Sequence, residues 1–402
     1  VPQRQAALAF VLVTVLLDAL AFAIVVPVVP DLVKEVGHVP PAQASFWVGV
    51  MLTAFASVQF FAAPVLGGLS DRFGRRPILL VCLTILGLAS LATVFVQSLA
   101  GLLLIRMFAG LASGDIPAAV AYIADITPPA GRAKRFGLVG AMFGLGFVAG
   151  PGLGGLLGGV WLRLPFVAAA VLSAANVLYG IFLLPESLAP EHRRPLRWRE
   201  MQPFGALRAV FVDATTLRLG FAWCCLWFAL GAQQSSFILA NEMRFQWSVL
   251  QNGLVLALAG ICGAITQSLL VGRAISRFGQ KGTALLGGVL SAAGYGCYAL
   301  AGQVWVLFPG IILLSLGALG SPAIRAMLSQ SVDASRQGEV QGALSGLQAL
   351  MAIAGPVTMG ALFAGATLPG AALHFPGAPF ALAGGVCLAG FGVLTRLRVA
   401  PR

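Results

Sequence analysis

The sequence predicts an all-α integral membrane protein of twelve transmembrane helices, arranged as two pseudo-symmetric six-helix bundles. Three observations carry that expectation. Of 402 residues, 59% are hydrophobic and only 9% charged, against about 25% charged in soluble domains, so most of the chain lies where ions are not hydrated. Twelve stretches are apolar over about the 20 residues a bilayer crossing requires. The second half also repeats the first at a fixed offset of 205 residues, Gly67 matching Gly272 and Gly74 matching Gly279.

Taken in order, the stretches run over 7–29, 45–66, 77–96, 99–124, 136–158 and 164–184, then 216–238, 250–272, 283–302, 305–329, 338–364 and 378–396. The first is too long for a signal peptide and is followed by many like it. The longest polar interval, Pro185 to Asp213, holds Glu186, Glu191, Arg193, Arg194, Arg197, Arg199 and Glu200. It reads as a linker, with a short interfacial helix over Trp198–Val210. The domains expected are therefore a bundle at 1–184, a cytoplasmic linker at 185–213 and a bundle at 214–402.

A net charge of +12 could suggest nucleic acid, but its placement argues for topology instead. With both termini cytoplasmic, Lys34, Arg163 and Arg244 fall outside, Arg106 and Arg325 lie within apolar segments, and the remaining Lys and Arg fall inside or at span ends. The six cysteines all sit in apolar runs without paired metal spacing and read as small core hydrophobes.

The loop between the second and third stretches, Gly67-Gly68-Leu69-Ser70-Asp71-Arg72-Phe73-Gly74-Arg75-Arg76, packs charges and turn-formers into a short span. Its copy, Gly272 to Lys281, keeps Arg277, Phe278 and Gly279 but puts Ser276 in place of Asp71. The offset continues at Pro117 and Pro322, and at Gly150-Pro151 and Gly355-Pro356. A parallel repeat of six-span bundles is a transporter architecture, with the substrate site near the midplane. Glycines let the backbone turn and approach, Asp71 suits a helix N-terminus or a cation, and Arg72, Arg75 and Arg76 can reach acids such as Asp125. The alternative is a loop whose arginines only hold topology.

Asp18 stands mid-span between Leu17 and Ala19. Acids at bilayer depth cost several kcal/mol and usually face a cavity. Desolvation disfavours a buried carboxylate's charged form, so such a group can take up and return a proton. An interhelical hydrogen bond is the plainer reading. Gly146, Gly150, Pro151, Gly154 and Gly155 predict a bend or close packing in the fifth span. Gln59, Gln233, Gln234 and Gln348 are polar groups able to reach a ligand or to bond a neighbouring helix.

These motifs resemble the major facilitator superfamily. The Gly67–Arg76 loop resembles its signature between spans two and three, Arg106-x-x-x-Gly110 its span-four motif, and Gly146-x-x-x-Gly150-Pro151-x-x-Gly154-Gly155 the span-five signature of its drug/H+ antiporters. Leu17-Asp18-Ala19, Ile123-Ala124-Asp125 and Gly272-Arg273 further resemble the tetracycline/H+ antiporter branch. The resemblance implies the major facilitator fold, proton coupling through Asp18 and Arg106, and a hinge or leak seal in span five. It also implies that Gly67, Asp71, Arg72, Gly74, Arg75, Arg76 and Asp125 form a latch that alternately holds and releases the two halves.

Cavity-lining spans one, four, seven and ten, again by resemblance, suggest that Asp115 and Arg325 face each other as coupling acid and substrate-cavity cation. For Arg106, snorkelling toward headgroups is the alternative. Two departures stand out: where the branch carries further acids in spans three and nine, this chain has Ala89 and Ser291.

The expected activity is proton-coupled efflux of an amphipathic drug-like molecule by alternating access, with import or exchange of a small organic anion as the alternative. No enzyme is expected: His38, His192 and His374 lie far apart in loops, and no G-x-x-x-x-G-K-[ST] phosphate loop exists. The implied partners are a small-molecule substrate, protons and the lipid bilayer of the cell membrane, without nucleic acid, metal or cofactor and as a functional monomer.

Overall fold

The computed structural model describes residues 2–112, 114–193, 213–331, 337–371 and 374–397. All regular elements among them are helices, as expected where a backbone in lipid must satisfy its own hydrogen bonds. The first half comprises α1 (Pro2–Ile24), α2 (Val29–Gly37), α3 (Pro41–Phe73), α4 (Arg75–Phe95), α5 (Leu99–Gly110), α6 (Asp115–Ile126), α7 (Pro129–Val160) and α8 (Leu164–Leu183). The second comprises α9 (Ala214–Phe245), α10 (Val249–Ile265), α11 (Val271–Leu300), α12 (Val304–Gly317), α13 (Gly320–Gln330), α14 (Gln337–Thr367) and α15 (Ala378–Gly392). The interfacial helix expected at Trp198–Val210 lies outside the described residues.

Ten stretches are long and apolar enough to cross a membrane, and the shorter apolar helices Leu99–Gly110 and Pro117–Ile126 accompany them. Their outward side chains suit lipid: Phe95 is 72% exposed and Val160 80%.

Local chemistry sets the helix ends. Asp213 accepts the Thr215 and Thr216 amides at 2.7 and 2.8 Å, and its own amide donates to Thr216 Oγ1, so a reciprocal cap opens α9. Ser98 Oγ accepts the Gly101 amide at 3.1 Å and opens α5. Arg244, one of the expected external cations, donates to the Tyr298 and Ala299 carbonyls at 2.6 and 2.8 Å and closes α11.

The 205-residue repeat is visible in the backbone. Gly74 (φ 111°) separates α3 from α4, and its mate Gly279 (φ 67°) breaks α11. Such φ values favour glycine, which has no Cβ to clash. Helix α6 begins at Asp115 and α13 at Gly320, again 205 apart. Pro151 and Pro356 lie inside α7 and α14, neither of which ends there.

The chain forms two compact units. Unit 1 comprises Val1–His38, Ala54–Gln202 and Ser248–Ala257, and unit 2 comprises Val39–Thr53, Pro203–Trp247 and Leu258–Arg402. Helices α3 and α10 therefore each contribute to both. Inside unit 1, α1, α4 and α6 share a core built on Phe10, Leu83, Tyr122 and Ile123. Inside unit 2, Trp223, Ala323, Leu344 and Phe391 do the same for α9, α13, α14 and α15.

Close helix packing in unit 2 relies on glycine. Ser45 Oγ on α3 donates to the Ser235 carbonyl at 3.0 Å and lies 3.1 Å from Ser236 Oγ, and Thr53 Oγ1 donates to the Ile353 carbonyl at 2.5 Å. A Cβ on Gly49 would come within 2.9 Å of Val357 Cα. Gly49→Leu should therefore destabilise this unit by about 1–3 kcal/mol through overpacking, read as a lower melting temperature in detergent. An unchanged melting temperature would count against this packing.

Candidate functional site

Unit 1 encloses a cavity of about 280 Å³ whose walls come from α1, α3, α4, α5, α7 and α8. Asp18, Gln59 and Arg106 all line it, set among Phe22, Phe55, Phe143 and Phe147. Three polar groups singled out from separate helices thus share one apolar chamber. Among the described residues, Arg106 Nη2 is buried without a hydrogen-bond partner, which leaves a donor in that wall for an incoming acceptor. Ala89, the position lacking an acid in the third span, lines the same cavity. Asn176 does not: its amide donates to the Thr14 carbonyl at 3.1 Å and ties α8 to α1.

The span-five glycines hold α1 in place. Gly146, Gly150 and Gly154 recur every four residues and so share one face of α7. A Cβ on Gly146 would lie 2.7 Å from Ala19 Cβ, next to Asp18, and one on Gly150 would lie 2.9 Å from the Ala23 carbonyl carbon. Gly154 packs against Ile24. Gly155 points elsewhere, its Cβ position 3.1 Å from Leu250 Cα, while Pro151 offers its carbonyl to Gly253 on α10. The motif thus presents two close-packed seams on one helix.

At the α3–α4 loop, a charge cluster closes inside unit 1. Arg75 pairs with Asp71 at 2.5 Å and with Asp125 on α6 at 3.3 Å, and it donates to Ser70 Oγ at 3.2 Å. Arg75 is only 14% exposed. Two groups that sequence reasoning missed complete the cluster. Glu186 Oε1 accepts the Arg75 amide at 2.9 Å, and Ser187 Oγ donates to Asp125 at 3.1 Å. The acids in the polar interval after α8 were the available signal, but nothing in the sequence distinguishes Glu186 from Glu191. Arg72 stacks on exposed Phe73, its guanidinium 5.2 Å from the ring centre. Gly67 permits no close approach here, since a Cβ on it would meet nothing within 4 Å.

The match to known proteins decides the family. The model of the Major Facilitator Superfamily matches residues 11–270 and 231–402. The chain belongs to the Major Facilitator Superfamily. Within it, the chain is 41% identical over 362 residues to "Tetracycline resistance protein, class C" of Escherichia coli, covering 89% of this chain and 90% of that one. It is 37% identical to the class G protein of Vibrio anguillarum, covering 86% and 88%. These relatives put it in the tetracycline-resistance branch. A crystal structure of the human organic anion transporter MFSD10 (TETRAN) is similar at a TM-score of 0.71 and 25% identity, over 97% of this chain and 99% of that one. The D-xylose-proton symporter shares the fold at a TM-score of 0.79 and 14% identity, over 97% of each chain. The chain is thus a multi-pass membrane transporter and not an enzyme.

Unit 2 of this major facilitator carries a cavity of its own, of about 320 Å³. Gln233, Gln267, Ser291 and Ser315 line it beside Trp227 and Tyr295, and its walls include no charged side chain among the described residues. Two backbone irregularities border it. Thr266–Leu270 forms a π-helical turn, a feature often found at functional sites, and Gln267 Nε2 reaches the Ala318 carbonyl at 3.4 Å, where α12 gives way to α13.

Arg325, expected as a cavity cation, instead sits exposed on α13 with its guanidinium 5.3 Å from the Trp223 ring centre, outside that lining. Stacking on a buried indole gives the cation a favourable seat without a ligand. Gln234 is exposed, and neither it nor Gln348 lines either cavity. Asp115 opens α6, but its side chain lies outside the described residues, so its expected facing of Arg325 does too.

Proposed function

We propose that this transporter is a proton-coupled exporter of an amphipathic, drug-like small molecule, working by alternating access between two bundles at 1–184 and 214–402 joined by the linker at 185–213. The observation that carries the reading is the joint lining of one apolar cavity by Asp18 and Arg106. An acid and a cation in a low-dielectric chamber interact strongly, so adding or removing the Asp18 proton changes what the Arg106 guanidinium is free to bind. The cavity of unit 2, with its indole, phenol and amide groups, suits the apolar and hydrogen-bonding parts of the cargo. Relatives named for tetracycline resistance support export of a drug-like molecule.

Twelve spans follow if the 52-residue stretch Val249–Leu300 counts as two, divided at Gly279, and Leu99–Ile126 as one broken span. Both termini then face the cytoplasm, and the latch residues Asp71, Arg75, Arg76 and Asp125 lie on that side. The driving force is a proton gradient, with no cofactor, and the working form is a monomer in the cell membrane.

Two observations favour a second reading. An unpartnered guanidinium nitrogen in the first cavity, and likeness to a human organic anion transporter, fit import or exchange of a small organic anion.

Cells expressing the chain should accumulate less tetracycline or ethidium than controls, and a protonophore should abolish the difference. Export that survives the protonophore would overturn proton coupling. Proton release when drug is added to the detergent-solubilised protein supports antiport, whereas proton uptake favours the anion importer.

A further inference from the structure

The repeat provides an internal control for the α3–α4 loop. In unit 1, Arg76 Nη2 donates to the Ile181 carbonyl near the end of α8 at 2.6 Å. In unit 2 its repeat mate Lys281 donates to the Thr395 and Leu397 carbonyls after α15, at 2.9 and 2.7 Å. Each unit therefore closes its last helix onto this loop with a cation. Both loops also turn at a positive-φ glycine. Among the described residues of unit 2 these are the contacts that close the loop, and a Cβ on Gly279 would meet nothing within 4 Å.

Unit 1 adds a carboxylate. The amides of Arg75 and Arg76, in the first turn of α4, have no intrahelical acceptor, and Gly74 before them makes no side-chain cap. Glu186, more than a hundred positions along the chain, takes both, Arg75 on Oε1 at 2.9 Å and Arg76 on Oε2 at 3.3 Å. A carboxylate at a helix N-terminus is also favoured by the helix dipole. Oε1 further accepts the amides of Ser187 and Leu188 at 2.9 and 3.0 Å. A Cβ on Gly74 would strike the Glu186 carboxylate. Beside it the Tyr122 hydroxyl donates to the Pro185 carbonyl at 2.8 Å, and Ser187 donates to Asp125.

We propose that Glu186 is a positioning residue of the transport cycle. Its carboxylate fixes the first turn of α4, so that Arg75 is presented to both Asp71 and Asp125, and it fastens the stretch leaving α8 to that same cluster. The proposal needs only that the chain transports, and not that protons drive it. Unit 2 explains why this is more than fold maintenance: it joins the same two helix ends without an acid at either of the matching positions, Ser276 for Asp71 and Gln330 for Asp125.

The test combines hydrogen exchange on the unmodified chain with transport by two variants. Slow exchange at the amides of Arg75, Arg76, Ser187 and Leu188 is expected in the unmodified protein, and fast exchange at all four would overturn the proposal without any variant. Glu186→Gln keeps the size and one acceptor but loses the second oxygen and the charge. It should speed exchange at those amides about tenfold. Uptake of tetracycline or ethidium into everted vesicles, whichever the unmodified chain carries, should lose about tenfold in maximal rate with KM held within about twofold.

Glu186→Asp, which keeps the charge but draws it back by one methylene, should give the same split in smaller measure, with exchange and maximal rate between those of Glu186→Gln and the unmodified chain. A purely structural role predicts a different pattern: lower melting temperature and yield, with an unchanged maximal rate per folded molecule. That pattern, or a native rate in Glu186→Gln, sinks the proposal.

Discussion

Replacing Asp18 with Asn should abolish proton-driven transport while the protein still inserts and folds. Asn has nearly the same shape and still makes hydrogen bonds, but it cannot bind and release a proton near neutrality. Because Asp18 shares its apolar cavity with Arg106, the substitution leaves the guanidinium without a switchable counter-charge. Coupling between sites commonly amounts to about 5–150-fold, and a loss within that range is expected, since Asp18 and Arg106 are the charged groups that the described residues bring to that cavity. Drug accumulation in cells expressing Asp18→Asn should match that in cells lacking the transporter, with or without protonophore. Arg106→Gln should be similarly impaired, and the double variant scarcely worse, because the two act as one unit. Wild-type export by Asp18→Asn would remove the basis of the proton-coupling reading.

The second large effect is expected at Gly146, an uncharged position on α7. Helix α7 presses this glycine on Ala19 and the Leu20 amide, at 2.7 and 2.8 Å from where a Cβ would stand. Backbone cannot yield as a flexible side chain can, so Gly146→Val must push α1 away at the turn that carries Asp18. A displacement near 1 Å at a site that depends on geometry can cost about a hundredfold in rate. Drug export should therefore fall toward background in Gly146→Val. Gly144 provides the control, since a Cβ there would meet nothing within 4 Å. Gly144→Ala should export normally. Equal loss in both variants would mean that flexibility of the helix, and not its seam with α1, is what the glycines provide.

Both predictions concern residues singled out in the sequence, yet for different reasons. Asp18 was legible because one acid among leucines is costly in lipid, whatever surrounds it. The glycines were legible as a motif, but their division into an α1 seam (Gly146, Gly150, Gly154) and an α10 seam (Pro151, Gly155) was not. Arg325 has a neighbour that the sequence did not show. A cation in an apolar segment reads as a ligand, and the contact the structure gives it is an indole face about a hundred positions away in the chain. Glu186 went unnoticed because it sits in a polar interval where acids are ordinary.

The sequence alone determined the membrane class, the two-fold repeat and the acid at depth. Each follows from composition or from spacing along one helix, quantities that do not depend on which helices become neighbours. Only the tertiary structure decided that Asp18, Gln59 and Arg106 share one chamber, that Gln233 belongs to another, and that a carboxylate after α8 caps α4. Those relations depend on the packing of segments tens to more than a hundred residues apart, where side-chain shape and glycine-permitted approach, not local period, choose the partners.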